Sequence, residues 1–347
     1  MAKISPKDNF LKLAGGGMPE YVPYFTFSGN EPIPEISSKS AGASLFPPPI
    51  INEDGSSTNM WGVTNYPNQE TAGSSMPEPD VFILDDITKW GDVLPKPKHR
   101  DDIDLDAQAK EAFERIGLDR SVTALRTGGG FGPWMFLIGI MGFEGAMVSM
   151  AEEPEVCKEL FDYVASLYDP YVVPILDAFK PDIWSLGDDI CTERGPFFSL
   201  AMYRDLFKPY YERFAKDAVE RGLPIIYHIC GKIETFVPEM IDFGVQYVEP
   251  AQETNDIMGL KEQYPNKMTY LGAHDWGKHY PANYPNYDPE EVKADVRATI
   301  DKYSPGGGFG TLIWPVSFVG DPHLDDLKSL IWNECYRYGK EVYGYTD

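Results

Sequence analysis

From about residue 120 onward, short runs rich in β-branched and aromatic residues alternate with longer stretches whose apolar positions recur every three or four residues. The short runs are SVTALRTG (121–128), DIWSLGDD (182–189), LPIIYHICG (223–231), VQYVEP (245–250), MTYLGAHD (268–275) and GTLIWP (310–315). Helical patterns separate them: 152–172, Ser199 to Glu220, 232–244, 255–264, a stretch from Asp288, and a closing helix near 324–340. Helix starts are marked. Ser199 offers an N-cap hydroxyl, and Asp288-Pro289-Glu290-Glu291 sets a cap, a proline at the first helical position and a glutamate at the third. Strands alternating with helices at this spacing predict parallel βαβ units, and so many in series predict an α/β fold with a single (β/α)₈ TIM barrel. An open doubly wound sheet is the other arrangement, but its Gly-x-Gly-x-x-Gly turn is not found.

The first hundred residues follow a different pattern. They are rich in Pro, Gly, Ser and Asn with little periodicity, and read as long loops laid over the folded body. Within them, LKLAGGGMPEYVPYFTF (11–27) predicts a short helix, a glycine-rich turn and a first strand. The expected organisation is one barrel domain over 1–347, with 1–100 as a loop-rich extension packed on it.

Charge narrows the partners. A formal net charge of −24 argues against a nucleic-acid backbone, which demands clustered Lys and Arg. It fits a solvated acidic surface, or a face for a cationic partner. No run approaches the ~20 apolar residues that span a bilayer, the longest being Trp134 to Met141, so no membrane is expected. The opening MAKISPKDNFLKLAGGG lacks the apolar core of a secretory signal. Four scattered cysteines do not form a disulfide scaffold and point to a reducing cytoplasm.

In a parallel barrel the chemistry sits at the carboxyl ends of the strands. Those ends carry Arg126, Asp188-Asp189, His228-Ile229-Cys230, Glu249, His274-Asp275 and Trp314. His228 and Cys230, two apart at a strand end, leave the chain on the same side. Imidazole and thiolate suit Zn²⁺, whose catalytic sites take three protein ligands and keep one position open. Glu249 on the next strand end is preferred as third ligand; Asp188, Asp189, Cys191 and His274 are alternatives. Asp188, Asp189 and His274 are also candidate catalytic acids. Cys157 and Cys335 fall on apolar helix faces and read as core, and His99, His279 and His323 as loop or capping residues. GGGFGPW (128–134) lacks the Lys and Ser/Thr of a phosphate loop and reads as a tight turn. Phe27, Trp134 and Trp314, near strand ends, are placed to clasp an aromatic ring, with Arg126 a further substrate-binding candidate.

GGGMPEYVPYF, Trp61-Gly62, SLGDDICTERGPFFSLAMYRDLFKP, IIYHICGKI and LGAHD together resemble the uroporphyrinogen decarboxylase superfamily, and within it the corrinoid methyltransferase branch. The resemblance runs from about residue 8 to 345 and is weakest over 30–100. Decarboxylases of the family carry Arg-Gln-Ala-Gly near the N-terminus to grip substrate carboxylates; here the region reads Lys12-Leu13-Ala14-Gly15-Gly16. Thiol-methylating relatives add a second Cys after the last strand, and 306–315 contain none. These departures favour resemblance to the O-demethylase methyltransferases of anaerobes. The resemblance implies a small methoxylated aromatic donor, a corrinoid carried by a partner protein as acceptor, and metal ligands of mixed carboxylate, His and Cys type. Cleaving an aryl methyl ether expels a phenolate whose conjugate acid has a pKa of roughly 10, by analogy with tyrosine, so a Lewis acid or positioned proton donor lowers the barrier. The alternatives are another methyl donor or acceptor, a decarboxylase acting on a non-porphyrin acid, or a binding protein holding a tetrapyrrole-like ligand.

Overall fold

A computed structural model describes residues 3–26, 36–67, 75–78, 80–274, 281, 283–313, 321 and 323–346. Seven strands form its main sheet: β1 (Ser38–Ser40), β2 (Ala124–Gly128), β3 (Ile183–Gly187), β4 (Ile225–His228), β5 (Val245–Ala251), β6 (Thr269–His274) and β7 (Phe309–Ile313). Every pairing is parallel, and strand order follows chain order from one edge to the other. A doubly wound sheet would reverse direction part-way, so that arrangement is set aside. The sheet curls. Tyr24 bridges Thr311 of β7, while its carbonyl accepts from Ser37 Oγ beside β1, so one short segment touches both edges. Among the described residues there are thus seven regular strands, with a single bridge at Tyr24 where an eighth strand was expected.

Period-two alternation sorts the strand residues. Ala124, Ile183, Ile226, Tyr247 and Leu271 face inward and form a small core with Phe10, Leu13, Phe25 and Leu312. Their neighbours Leu125, Trp184, Tyr227, Val248 and Tyr270 face outward into the larger core under the helices. The short helix Pro6–Leu11 plugs the amino-terminal end of the sheet. Phe10 stacks on Phe25 and Tyr247, and the Tyr247 hydroxyl donates to its carbonyl. Two residues further along the same inward faces come Arg126, Ser185, His228 and Glu249. The inner surface therefore changes from apolar to polar towards the carboxyl ends of the strands.

Where the sequence shows a short apolar run, Trp134 to Met141, the structure has a helix of 20 residues, Pro133–Glu152. By length and composition alone it is apolar enough to cross a membrane. Here Trp134, Leu137, Ile140, Met141, Ala146 and Met150 are buried in the core. It kinks at Gly142, whose φ of 71° suits glycine and where a Cβ would lie 2.3 Å from the Phe82 ring. The helix expected over Ser199–Glu220 is two helices, Leu200–Leu206 and Lys208–Glu220, broken at Phe207 just before Pro209. Ser199 and Asp288 cap as expected. In the front segment, pieces at 50–51, 57–58, 64–67 and 75–77 make a four-stranded antiparallel sheet. Nearby, Trp61 is buried edge-on against Phe136 and Tyr163 of the helices Pro133–Glu152 and Pro154–Phe179.

Candidate active site

His228 ends β4 one register row level with Gly187 of β3 and Glu249 of β5. Its Nδ1 lies 3.0 Å from Glu249 Oε2, which fixes the ring and directs Nε2 the other way. Nε2 is 3.9 Å from Cys230 Sγ and 3.8 Å from Asp189 Oδ1, and the three ligand atoms lie within 4.8 Å of one another. Asp189 Oδ1 also accepts from the Cys230 amide at 2.8 Å, which ties the loop after β3 to the loop after β4. In a tetrahedral zinc site with bonds of about 2.0–2.3 Å, neighbouring ligand atoms sit roughly 3.3–3.8 Å apart. The donor set therefore fits a divalent cation with little rearrangement. A carboxylate on the far nitrogen of a ligating histidine is the usual outer partner of such a site.

That geometry separates the two carboxylates weighed as third ligand. The carboxylate in the cluster is Asp189, the alternative, whereas Glu249 is brought in on the other side of the imidazole. Glu249 faces inward from β5, and the nitrogen nearest it is Nδ1.

Burial alone would lower the His228 pKa, but its hydrogen bonds to Cys230 and Glu249 and the charges of Glu249 and Asp189 outweigh burial and hold it up to about 11. A cation bound among these groups competes with that proton. Burial pushes the Cys230 thiol up, and His228 pulls it back down.

Asp188 does different work from its neighbour. It is 2% exposed. Oδ2 accepts from the Trp134 amide and the Tyr211 hydroxyl, both at 2.8 Å, and Oδ1 accepts from the Met135 amide at 2.9 Å. It thus caps the helix Pro133–Glu152 from another strand, satisfying amides that have no partner within the helix. Burial raises its pKa to about 7 against the opposing pull of those three donors.

His274 is not part of the cluster either. Its Nε2 lies 2.5 Å from Asp295 Oδ2 on the helix Pro289–Tyr303.

Of the expected substrate residues, Trp134 is 1% exposed and packed among Phe143, Phe197 and Phe198, so its ring belongs to the core. Arg126 is buried, donates to the Thr26 carbonyl at 3.1 Å and lies over the Phe25 ring. Phe27, Trp314, Asp275 and His279 lie outside the described residues.

The aromatic surface comes from elsewhere. A cavity of about 560 Å³ opens beside His228, walled by Phe46, Phe131, Tyr168 and Phe214, with Gly128–Gly132, Ser185–Gly187 and Tyr211 completing much of its lining. Phe131 stacks on Tyr168 and meets Phe214 edge-on, and Phe46 meets Tyr168 edge-on. The glycine run read as a tight turn is a floor of this cavity. At Gly130, φ is +110° and a Cβ would fall 2.6 Å from the Phe214 ring, so a side chain there would displace a wall. Behind Phe46, His99 stacks on its ring at 4.8 Å with Nε2 2.7 Å from the Leu167 carbonyl. Sequence spacing carried no signal for Phe46, Tyr168 or Phe214, which come from a loop and two helices. The glycine run did carry one.

Residues 92–310 match the family model described as uroporphyrinogen decarboxylase (URO-D). No curated protein matches the chain. Thirty-three chains of solved structures match, among them a methyltransferase from Methanosarcina mazei. That likeness has a TM-score of 0.58 at 14% identity, covers 96% of this chain and 100% of the other, and shows a shared fold.

Proposed function

Because the chain belongs to the uroporphyrinogen decarboxylase (URO-D) family, we propose that it is a methyltransferase that takes a methyl group from a methoxylated aromatic compound and passes it to the corrinoid of a partner protein. The observation that carries this reading is one juxtaposition: an aromatic-walled cavity opens on His228, whose Nε2 faces Asp189 and Cys230. A ring of the donor's size fits among Phe46, Phe131, Tyr168 and Phe214 by stacking and edge contacts, each worth about 0.5–1.5 kcal/mol beyond area burial. The fold of the Methanosarcina mazei methyltransferase supports the reaction class.

His228, Cys230 and Asp189 are the residues to hold zinc, with Glu249 orienting His228 through Nδ1. When bound there, zinc supplies a Lewis acid for the ether oxygen, so that the phenolate leaves more readily. An imidazole, a thiolate and a carboxylate leave such a site with little net charge. The protein's own part is positional. The aromatic walls hold the ring and exclude water, and Asp188 anchors the helix whose N-terminus borders the cavity. The methyl acceptor has to approach from the mouth, where His228 is 40% exposed at its side chain. His274, paired with Asp295, has no role in this reading.

The test is to mix the protein with reduced corrinoid partner and a panel of aryl methyl ethers, methanol and methylamines, following corrinoid absorbance. Turnover with the ethers is expected. Turnover only with methanol or methylamines rejects the donor, and release of carbon dioxide from a carboxylate substrate without corrinoid decides for a decarboxylase.

A further inference from the structure

Ser185 sits on the inner face of β3, two residues after Ile183 of the small inner core and two before Gly187, the register partner of His228. Its own register partners are Gly128 on one side and Ile226 on the other. It therefore lies one strand over from His228 and one row deeper, on the lining of the aromatic cavity. Its Oγ is sheltered from solvent and has no hydrogen-bond partner among the described residues. The residue as a whole is only partly buried, so the surface it shows belongs to its other atoms. A hydroxyl left in this way has lost its hydration and gained no hydrogen bond in exchange.

An apolar side chain at 185 would serve packing better, as Ile183 and Ile226 do in the same inner surface. A serine χ1 has three staggered wells, so Oγ can leave its sheltered position by rotation alone, without moving the backbone. Gly128 beside it carries no side chain to block that swing.

Resting on the aryl-ether reading above, we infer that Ser185 reads a second polar oxygen on the ring of the methyl donor. With the ether oxygen held at the Asp189–His228–Cys230 end, the ring runs inward between the aromatic walls. A hydroxyl on that ring then meets Ser185 Oγ, one row deeper. Serine both donates and accepts, so it serves a phenol or a phenolate. A donor with nothing but hydrogen there leaves Oγ unpaired and binds less well, the discrimination open to any site built around a polar partner.

The experiment measures binding to the metal-loaded protein without corrinoid, by calorimetry, for methoxybenzene and for 2-, 3- and 4-methoxyphenol. At least one methoxyphenol is expected to bind about two- to twelvefold tighter than methoxybenzene, the span of one neutral hydrogen bond. In Ser185→Ala that preference should vanish, while methoxybenzene binds as before and thermal stability is unchanged or raised. If the wild type binds all four compounds and Ser185→Ala keeps the preference, the assignment of Ser185 is wrong and the ether reading survives. If the variant weakens all four equally, the residue only shapes the cavity and the assignment is again overturned. If the wild type binds none of them, the ether reading fails and this inference with it.

Discussion

Two strand ends carry a histidine, and the surroundings make them different groups. At the end of β4, Glu249 takes Nδ1 of His228, and Nε2 is left facing a thiol and a carboxylate near the cavity mouth. At the end of β6, Asp295 takes Nε2 of His274, and the side chain is 13% exposed. The first arrangement presents three ligand atoms that could hold a metal ion, and the second is a hydrogen-bonded pair, in which Asp295 is held below its usual pKa by that hydrogen bond. A polar residue at a strand end is thus only an opportunity. Which nitrogen is occupied, and by what, decides whether it is used.

The largest effect should come from removing a member of the open arrangement. His228→Ala or Cys230→Ser should lower zinc from about one per chain to near zero, read by elemental analysis, and reduce methyl transfer by roughly a thousandfold or more. Wild-type protein that is active with no zinc would break the comparison outright.

Next comes the division between inner and outer carboxylates. Asp189→Asn should abolish tight zinc binding, whereas Glu249→Gln should weaken it by about 10–100-fold, the cost typical of an outer partner. The reverse order would return Glu249 to the ligand set. The pH dependence sharpens this. The His228 proton, held up to about 11, must leave for zinc to bind. With the Cys230 thiol also protonated at neutral pH, zinc affinity should therefore rise with pH by up to about a hundredfold per unit across neutrality, about tenfold for each proton displaced, and fall as the solution is acidified. Glu249→Gln, which removes one cause of the raised pKa, should flatten that slope.

A smaller effect tests the neighbouring aspartates. Asp188→Ala should cost about 1–2 kcal/mol of stability in a denaturant melt, the range of a lost helix cap, with zinc retained. Loss of zinc with unchanged stability would exchange the roles of 188 and 189.

The smallest effect belongs to the closed pair. His274→Gln should leave zinc content alone and change stability by no more than about 0.5 kcal/mol. A hundredfold loss of methyl transfer would make His274 a working acid after all.

Much of the curled parallel sheet was legible because strand alternation and helix periodicity are local. Ile226 and His228 fall on one face of a short strand whatever lies around them. The same locality let the strand ends be named and left Asp189 and Glu249 unresolved, since choosing between them takes the direction of an imidazole set by a neighbouring strand. Pro133–Glu152 was missed for a related reason. It is apolar nearly all round and interrupted by Gly139, Gly142 and Gly145, so it shows no stripe and many breaker residues. Trp134 looked like a site residue from its place after a strand, but the turn that follows carries it into the core. The front strand expected within 11–27 is reduced to one bridge at Tyr24, and the first regular strand is Ser38–Ser40.

One wall of the cavity comes from Ala43, Leu45 and Phe46, which precede the stretch matched by the family model, whereas His228 and its partners lie within it. Part of the selectivity surface therefore lies on a stretch of chain apart from the reacting residues, while Phe131, Tyr168, Phe214 and Ser185 share their stretch. A graft of 41–47 from a relative would retune which molecule enters while leaving the reacting end untouched. Changes at 43–46 would reshape that one wall while the residues of the reacting end keep their places, much as a lock's wards are recut without altering its bolt.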